Sequence, residues 1–384
     1  MSFDFDTARP RYDTDSQKWQ KYRGRDILPM WVADMDFPVA PAIVEAIRER
    51  TNDPIFGYCR PTDSLIEAVV EYLENRHNWT IDPEWLVWLP GLVPAINLAC
   101  QAIGEPDDGV FTFTPVYPPF LIAPGLRHRE LQTAALRHRE NTWEIDWDAT
   151  AAAITPRTRL LLLCNPHNPV GRVWRPDELQ RIAEMAEAHD LVVCSDEIHC
   201  DLILDPIRHT TAGVWGRAVA DRLIVLHAPS KTYNIAGLAC SYAVIPNTRL
   251  RHALKRAAVG ITGEVNNFGY VACEAAYRHG ESWRQALLDR LRANRDLIEQ
   301  TVAAGDLPGM HMTHVEATYL AWLNVEALKL EDPVRFFEEA GVGLSGGGAF
   351  GDDRYVRLNF ACPESTLREA LRRMKAALEK RSTH

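Results

Sequence analysis

Between residue 85 and about residue 245, short unbroken apolar runs alternate with amphipathic stretches of helical period. Residues 85–89, 110–114, 160–164, 191–194 and 223–226 read as strands, and 93–103 and 176–189 as helices. Strand and helix in alternation predict crossover units and a mainly parallel sheet, whose ligand sites lie at the carboxyl ends of its strands. Residues 1–40 are irregular and rich in aromatics and charge, and Pro41 then opens a helical pattern through Arg50. After about residue 280 the pattern changes to a long helix over 282–303, helices over 333–340 and 365–380, and strands near 319–323 and 355–359. The chain therefore divides into an arm (1–40), a large α/β domain (41–280) and a smaller α+β domain (281–384). The similar strings Leu126-Arg-His-Arg-Glu130 and Leu136-Arg-His-Arg-Glu140 have no further copies and read as a solvated face.

Two residues at strand ends carry the sharpest chemistry. Lys231 follows the apolar run Leu223-Ile-Val-Leu226 into a loop of small residues. An ammonium group is strongly hydrated, so a lysine at the mouth of a buried strand points to Schiff-base chemistry. Asp196, in Cys194-Ser-Asp-Glu-Ile-His199, closes another apolar run. A lysine for an aldehyde and a carboxylate for a pyridinium nitrogen match pyridoxal 5'-phosphate.

Other residues fit around this pair. Trp88-Leu-Pro-Gly-Leu-Val-Pro-Ala-Ile-Asn97 reads as strand, turn and helix start, leaving the amides of Leu92 and Val93 free to hold a phosphate; alone it marks an ordinary strand-to-helix turn. Tyr117, among three prolines, is placed either to stack on a ring or to pack the turn. Asn168 can donate to a phenolate oxygen, though Asn-Pro by itself marks only a turn. His199 either buttresses that oxygen or merely flanks the strand. Arg357, alternating with apolar neighbours in Tyr355-Val-Arg-Leu-Asn359, is an anchor for an α-carboxylate if it faces inward and an ordinary surface arginine if it faces outward.

Gly341-Val-Gly-Leu-Ser-Gly346 satisfies a dinucleotide-binding pattern and Gly343-Leu-Ser-Gly-Gly347 a serine-hydrolase pattern, but a helix precedes and a strand follows, inverting the context both need. The segment reads as a flexible loop over a ligand or a turn. His199-Cys200 has no metal-ligand spacing with another pair, so no metal is expected. A net charge of −10 with scattered basic residues argues against nucleic acid. Eight single cysteines, most inside apolar runs, predict reduced thiols and a cytoplasmic location. The acidic N-terminus lacks a signal pattern, and no apolar stretch reaches membrane-spanning length.

Taken together, these residues resemble the fold-type I pyridoxal phosphate enzymes of the class I/II aminotransferase superfamily, and within it the cystathionine β-lyase (C–S lyase) branch that includes the MalY and PatB proteins. The resemblance is collinear along the chain: Leu28-Pro-Met-Trp-Val-Ala-Asp-Met-Asp-Phe37, Ile55-Phe-Gly-Tyr58, Thr114-Pro-Val-Tyr-Pro-Pro-Phe120, Asn165-Pro-His-Asn-Pro169, Ser195-Asp-Glu-Ile-His199, Ser230-Lys-Thr-Tyr-Asn-Ile-Ala-Gly-Leu238, Ala317-Thr-Tyr-Leu-Ala-Trp322 and Val356-Arg-Leu-Asn-Phe-Ala-Cys-Pro363. It implies a three-layer αβα large domain, a small domain to which the arm contributes, and a homodimer with active sites at the subunit interface. It makes Lys231 the Schiff-base lysine, Asp196 the partner of the pyridine nitrogen and Tyr117 the residue stacked on the ring. Asn168 and His199 approach the phenolate oxygen, Leu92, Val93 and Ser230 bind phosphate, and Tyr58 reaches the phosphate of the neighbouring subunit. Arg357, with Asn168 and Ala33, takes the substrate. His199, Ala228 and Ala239 depart from the aminotransferase pattern, where tyrosine, serine and arginine are usual; the first two fit the lyase branch, and together they leave phosphate more dependent on backbone and Tyr58.

The activity this resemblance implies is β-elimination from L-cystathionine or a related cysteine S-conjugate, giving a thiol, pyruvate and ammonia. Lys231 serves as the base, with Tyr117 and Tyr58 as candidates to protonate the leaving thiolate. An aminotransferase would use the same lysine, aspartate and arginine. A regulatory protein-binding role on the same fold is a third reading, which a complete catalytic set disfavours.

Overall fold

The computed structural model describes residues 3–382; Met1 and Ser2, at the head of the acidic N-terminal stretch, and Thr383 and His384 lie outside the described residues. Seven strands form the main sheet: β1 (Leu86–Leu89), β2 (Gly109–Thr114), β3 (Glu130–Ala135), β4 (Thr158–Cys164), β5 (Val192–Asp196), β6 (Leu223–His227) and β7 (Ser241–Val244). Their spatial order is β1-β7-β6-β5-β4-β2-β3. The run from β6 to β3 is parallel, and only β7 opposes its neighbours.

The unbroken apolar runs have a direct structural cause. Leu161 and Leu163 of β4 point into one apolar cluster, and Leu160 and Leu162 into another on the opposite face. A strand buried on both faces has no polar side to alternate with. On the first face pack α2 (Asp63–His77), α5 (Pro176–Ala188) and α7 (Asn267–His279); on the second pack α3 (Leu92–Ala102), α4 (Pro118–Leu126) and α6 (Thr248–Ala258). The arrangement is the expected αβα sandwich. Local signals set the helix ends: the Thr62 side chain accepts from Leu65 N at 3.1 Å to open α2, and Asn78, at φ 53, ends it.

A second, antiparallel sheet follows, formed by β8 (His311–Met312), β9 (Leu320–Asn324), β10 (Ser345–Gly346) and β11 (Tyr355–Asn359) in the order β8-β9-β11-β10. Its core joins α8 (Glu281–Ala303) and α10 (Glu364–Ser382) to the N-terminal segment through Met30, Met35 and Phe37, and to α1 (Pro41–Arg50) through Ile43.

Two of the differences from the sequence pattern have a plain physical cause. Strand β3 is an edge strand with an alternating exposed face, so it lacks the continuous apolar signal of its neighbours. The glycine-rich segment after α9 (Pro333–Glu339) is not a flexible loop over a ligand. Val342–Gly343 pairs in parallel with Leu28–Pro29, and Ser345 pairs with Arg357, so backbone hydrogen bonding holds this stretch. Gly343 is required by contact, since a Cβ there would lie 2.3 Å from the Tyr22 hydroxyl oxygen.

Candidate active site

The carboxyl ends of β4, β5 and β6 open onto a cavity of ≈ 250 Å³. Ala33, Leu92, Val93, Tyr117, Asn168, Asp196, His199, Ser230, Lys231 and Arg357 all line it. Of the residues singled out in the sequence, Tyr58 alone stands apart: it is fully exposed and does not line the cavity of its own chain.

Lys231 enters from the loop after β6, and its Nζ donates to the Ala33 carbonyl at 2.6 Å. The same carbonyl accepts from the Tyr319 hydroxyl at 3.0 Å. Burial, with the Arg357 charge second, lowers the Lys231 amine from 10.5 to about 8. Asn234 locks the lysine loop to the segment carrying Ala33: it accepts from Met35 N at 3.0 Å and donates to the carbonyls of Met35 and Phe37 at 3.1 and 2.9 Å. Its backbone sits at φ 57, a conformation asparagine tolerates better than most residues.

Asp196 is the last residue of β5, and its side chain accepts from Ile198 N at 3.1 Å. Burial raises its carboxyl from 3.8 to about 7, opposed by the Ile198 bond and the Lys231 charge. His199 lies in the turn that follows; burial holds its imidazole neutral, down to about 3, and Nδ1 has no hydrogen-bond partner. Tyr117 caps the start of α4, and burial, with the Asp196 charge, raises its phenol.

Arg357 faces inward from β11. Its Nη1 donates to Asn168 Oδ1 at 3.1 Å and its Nη2 to the Trp31 carbonyl at 3.0 Å, while the guanidinium lies 4.6 Å from the Phe350 ring centre. Nε is buried without a partner. Among the described residues no carboxylate pairs with this cation, and burial lowers it to about 10. A buried, unneutralised guanidinium held by neutral acceptors is a receptor for an anion.

These groups fit pyridoxal 5'-phosphate. A lowered lysine amine can take an aldehyde, and a buried carboxylate whose ionisation is costly gains from a pyridinium partner. Leu92 and Val93, in the first turn of α3, line the cavity at a positive helix end suited to phosphate. The sequence profile of the family described as aminotransferase class I and II matches residues 25–374. The chain belongs to that family.

Its cofactor is pyridoxal 5'-phosphate. Among relatives, the chain is 38% identical to cystathionine beta-lyase PatB of Bacillus subtilis (strain 168), over 97% of this chain and 99% of PatB. The solved structure of OvoB superposes with a TM-score of 0.95 at 46% identity, covering 98% of this chain and 99% of that one. Cystalysin from Treponema denticola, solved with pyridoxal 5'-phosphate, gives a TM-score of 0.95 at 32% identity over 99% and 100% of the two chains. Within this family fold, several parts of the site were not singled out from the sequence: the Ala33 and Trp31 carbonyls as acceptors, the Tyr319 hydroxyl and the Asn234 clamp. Backbone acceptors carry no side-chain signature. Asn234 and Tyr319 lie inside the collinear motifs but become site residues only through contacts some 200 and 286 positions distant.

Proposed function

We propose that this enzyme is a pyridoxal phosphate-dependent C–S β-lyase acting on a cysteine S-conjugate, with L-cystathionine as the first substrate to test. The observation that carries the reading is the joint placement of Lys231 and Arg357 on one cavity, a base of lowered pKa beside a carboxylate receptor. The lyase names of relatives such as PatB favour elimination over amino transfer.

When bound, the cofactor supplies an aldehyde that takes the substrate amino group and a protonated ring that accepts electron density from Cα. Lys231 would hold the aldehyde and Asp196 the ring nitrogen. Tyr117 would flank the ring, with Asn168 and His199 on its oxygen side, and Leu92, Val93 and Ser230 would hold the phosphate. Arg357 binds the α-carboxylate, with Asn168 and the Ala33 segment completing that end, and so fixes Cα relative to Lys231. The Lys231 amine, a minor part of which is neutral at pH 7, removes the Cα proton. The Cβ–S bond then breaks with its electron pair leaving on sulfur, and a proton from a site acid, Tyr117 or Tyr58, completes the thiol. The three-carbon product, released as 2-aminoacrylate, takes up water to give pyruvate and ammonium.

The arm (1–40), large domain (41–280) and small domain (281–384) remain the division we propose, with a homodimer as the working assembly. Exposed Ile55, Phe56 and Tyr58 support an apolar strip for a second copy, from which Tyr58 would reach the neighbour's phosphate. No helix among the described residues is long and apolar enough to cross a membrane, and all eight cysteines are unpaired; both fit the cytoplasmic location we propose.

The test is a product assay on cofactor-loaded protein with cystathionine, other S-substituted cysteines and a panel of keto acids. Pyruvate and thiol formed in equal amounts without a keto acid is the expected result. Amino transfer to a keto acid outpacing pyruvate release would overturn the lyase reading.

A further inference from the structure

Behind the active site, on the far side of the turn that carries His199, lies a second group of chemistry-bearing side chains that the reaction does not use. His77 is the last residue of α2, Cys200 follows His199, and His227 is the last residue of β6. All three are buried, and one ligand atom from each lies within 4.8 Å of the other two. Cys200 Sγ stands 3.7 Å from His227 Nδ1. Zinc held by a thiolate at about 2.3 Å and an imidazole at about 2.1 Å in tetrahedral geometry separates the two donors by roughly 3.6 Å. The pair is therefore already at the right spacing.

Further observations point the same way. His77 Nδ1 is buried without a hydrogen-bond partner, so protein groups alone do not satisfy this cluster. Glu197, fully buried, sits 3.5 Å from His227 Nε2, the placement of a carboxylate that orients a metal-bound histidine from behind. The carboxylates around the cluster are partnered: Glu197 Oε2 holds His209 Nε2 at 2.8 Å, and Asp201 is met by Arg76 at 3.5 Å. The Tyr72 hydroxyl, 3.0 Å from His77 Nε2 and 3.5 Å from Cys200 Sγ, occupies the side where a fourth ligand belongs. Tyr72 and Arg76 line a surface hollow of ≈ 410 Å³, which gives an ion a way in.

We propose that His77, Cys200 and His227 form a structural zinc site that ties the end of α2 to the turn carrying His199. Mixed thiolate and imidazole donors select zinc over the hard cations magnesium and calcium. Ligands contributed from three separated parts of the chain leave no spacing motif, and linear pattern reading could not show the site.

The test uses tag-free, cofactor-loaded protein equilibrated with zinc sulfate and then dialysed exhaustively. The proposal expects about one zinc retained per chain by atomic emission, a higher melting temperature with zinc, and, after cobalt exchange, a thiolate-to-cobalt absorption band. Cys200→Ser, a near-isosteric change in case His77→Gln fails to fold, is expected to lose the retained metal, the thermal gain and the band. Wild-type protein that retains no zinc, or Cys200→Ser protein with the same zinc content and cobalt spectrum, would overturn the proposal.

Discussion

Arg357 donates to Asn168 Oδ1 at 3.1 Å, and this bond joins the small antiparallel sheet to the loop after β4 of the main sheet. The substrate receptor we propose is therefore built across both sheets, with one arm of the guanidinium on Asn168 and the other on the Trp31 carbonyl. Lysine keeps a charge but cannot hold both acceptors and a carboxylate at once. Arg357→Lys is expected to raise KM for the amino acid by roughly 10- to 100-fold, the loss of one or two charge-assisted hydrogen bonds, with a smaller effect on kcat. Initial rates of pyruvate release against substrate concentration check this; an unchanged KM would remove Arg357 from substrate binding.

Lys231 titrates at about 8 in the cofactor-free protein, below its ordinary 10.5. Only the neutral amine attacks an aldehyde, so the rate of cofactor uptake should rise with pH with a midpoint about 8. Arg357 contributes to the lowering, and Arg357→Gln should move the midpoint upward. The linkage has a definite sign: a lysine lowered on folding makes the cofactor-free chain gain stability as pH rises from about 8 to 10.5. Stopped-flow absorbance of cofactor uptake reads the midpoint. A value unmoved from that of a surface lysine would contradict the burial argument.

Asp196 carries the opposite linkage. Its folded value, about 7, lies above the ordinary 3.8, so ionising it costs the cofactor-free fold a penalty absent below 3.8 and fully present above about 7. Cofactor-free Asp196→Asn should therefore melt higher than cofactor-free wild type above pH 7, with the difference vanishing towards pH 4. With cofactor bound the order should reverse, and kcat should fall roughly 10²- to 10³-fold, as for loss of a preorganised electrostatic partner. Scanning calorimetry of both forms against pH separates these outcomes.

His314 is held between Glu299 Oε1 and Asp205 Oδ2, each at 2.9 Å. The hydrogen bond to Glu299, with that to Asp205, raises its imidazole from 6.5 to about 9. Its stabilising contribution is full below 6.5 and lost as pH rises through about 9. The melting temperature of His314→Gln should lie below wild type at pH 6 and converge on it by about pH 10. A gap constant with pH would show that packing, not charge, is lost.

Gly343 shows how an apparent motif can be structural. Any side chain there meets the buried Tyr22 ring, whose hydroxyl donates to Glu338 Oε1 at 2.7 Å. Gly343→Ala should destabilise the protein by about 1–3 kcal/mol, the usual cost of overpacking, without changing the KM of the folded fraction. Urea unfolding with parallel kinetics measures both.

Much of this protein is legible in its sequence because the governing physics is local. Strands buried on both faces must be continuously apolar, so β2, β4, β5 and β6 announce themselves, and strand-end placement then marks Lys231 and Asp196. Edge strand β3 and antiparallel β7 gave no such signal, one because half of it faces water and the other because Ser241 and Tyr242 put polar groups into its run. The direction of Arg357 was open in the sequence, where a strand arginine faces inward or outward equally well; only pairing of β11 with β9 and β10 turned it into the cavity. Likewise, Lys231 and one arm of Arg357 donate to backbone carbonyls of residues 33 and 31, and the side chains of the proposed zinc site come from positions 77, 200 and 227. The sequence alone determined which residue types could carry the chemistry. The tertiary structure decided which of them meet, because contacts between distant segments depend on how two sheets and their helices pack, and no local pattern encodes that.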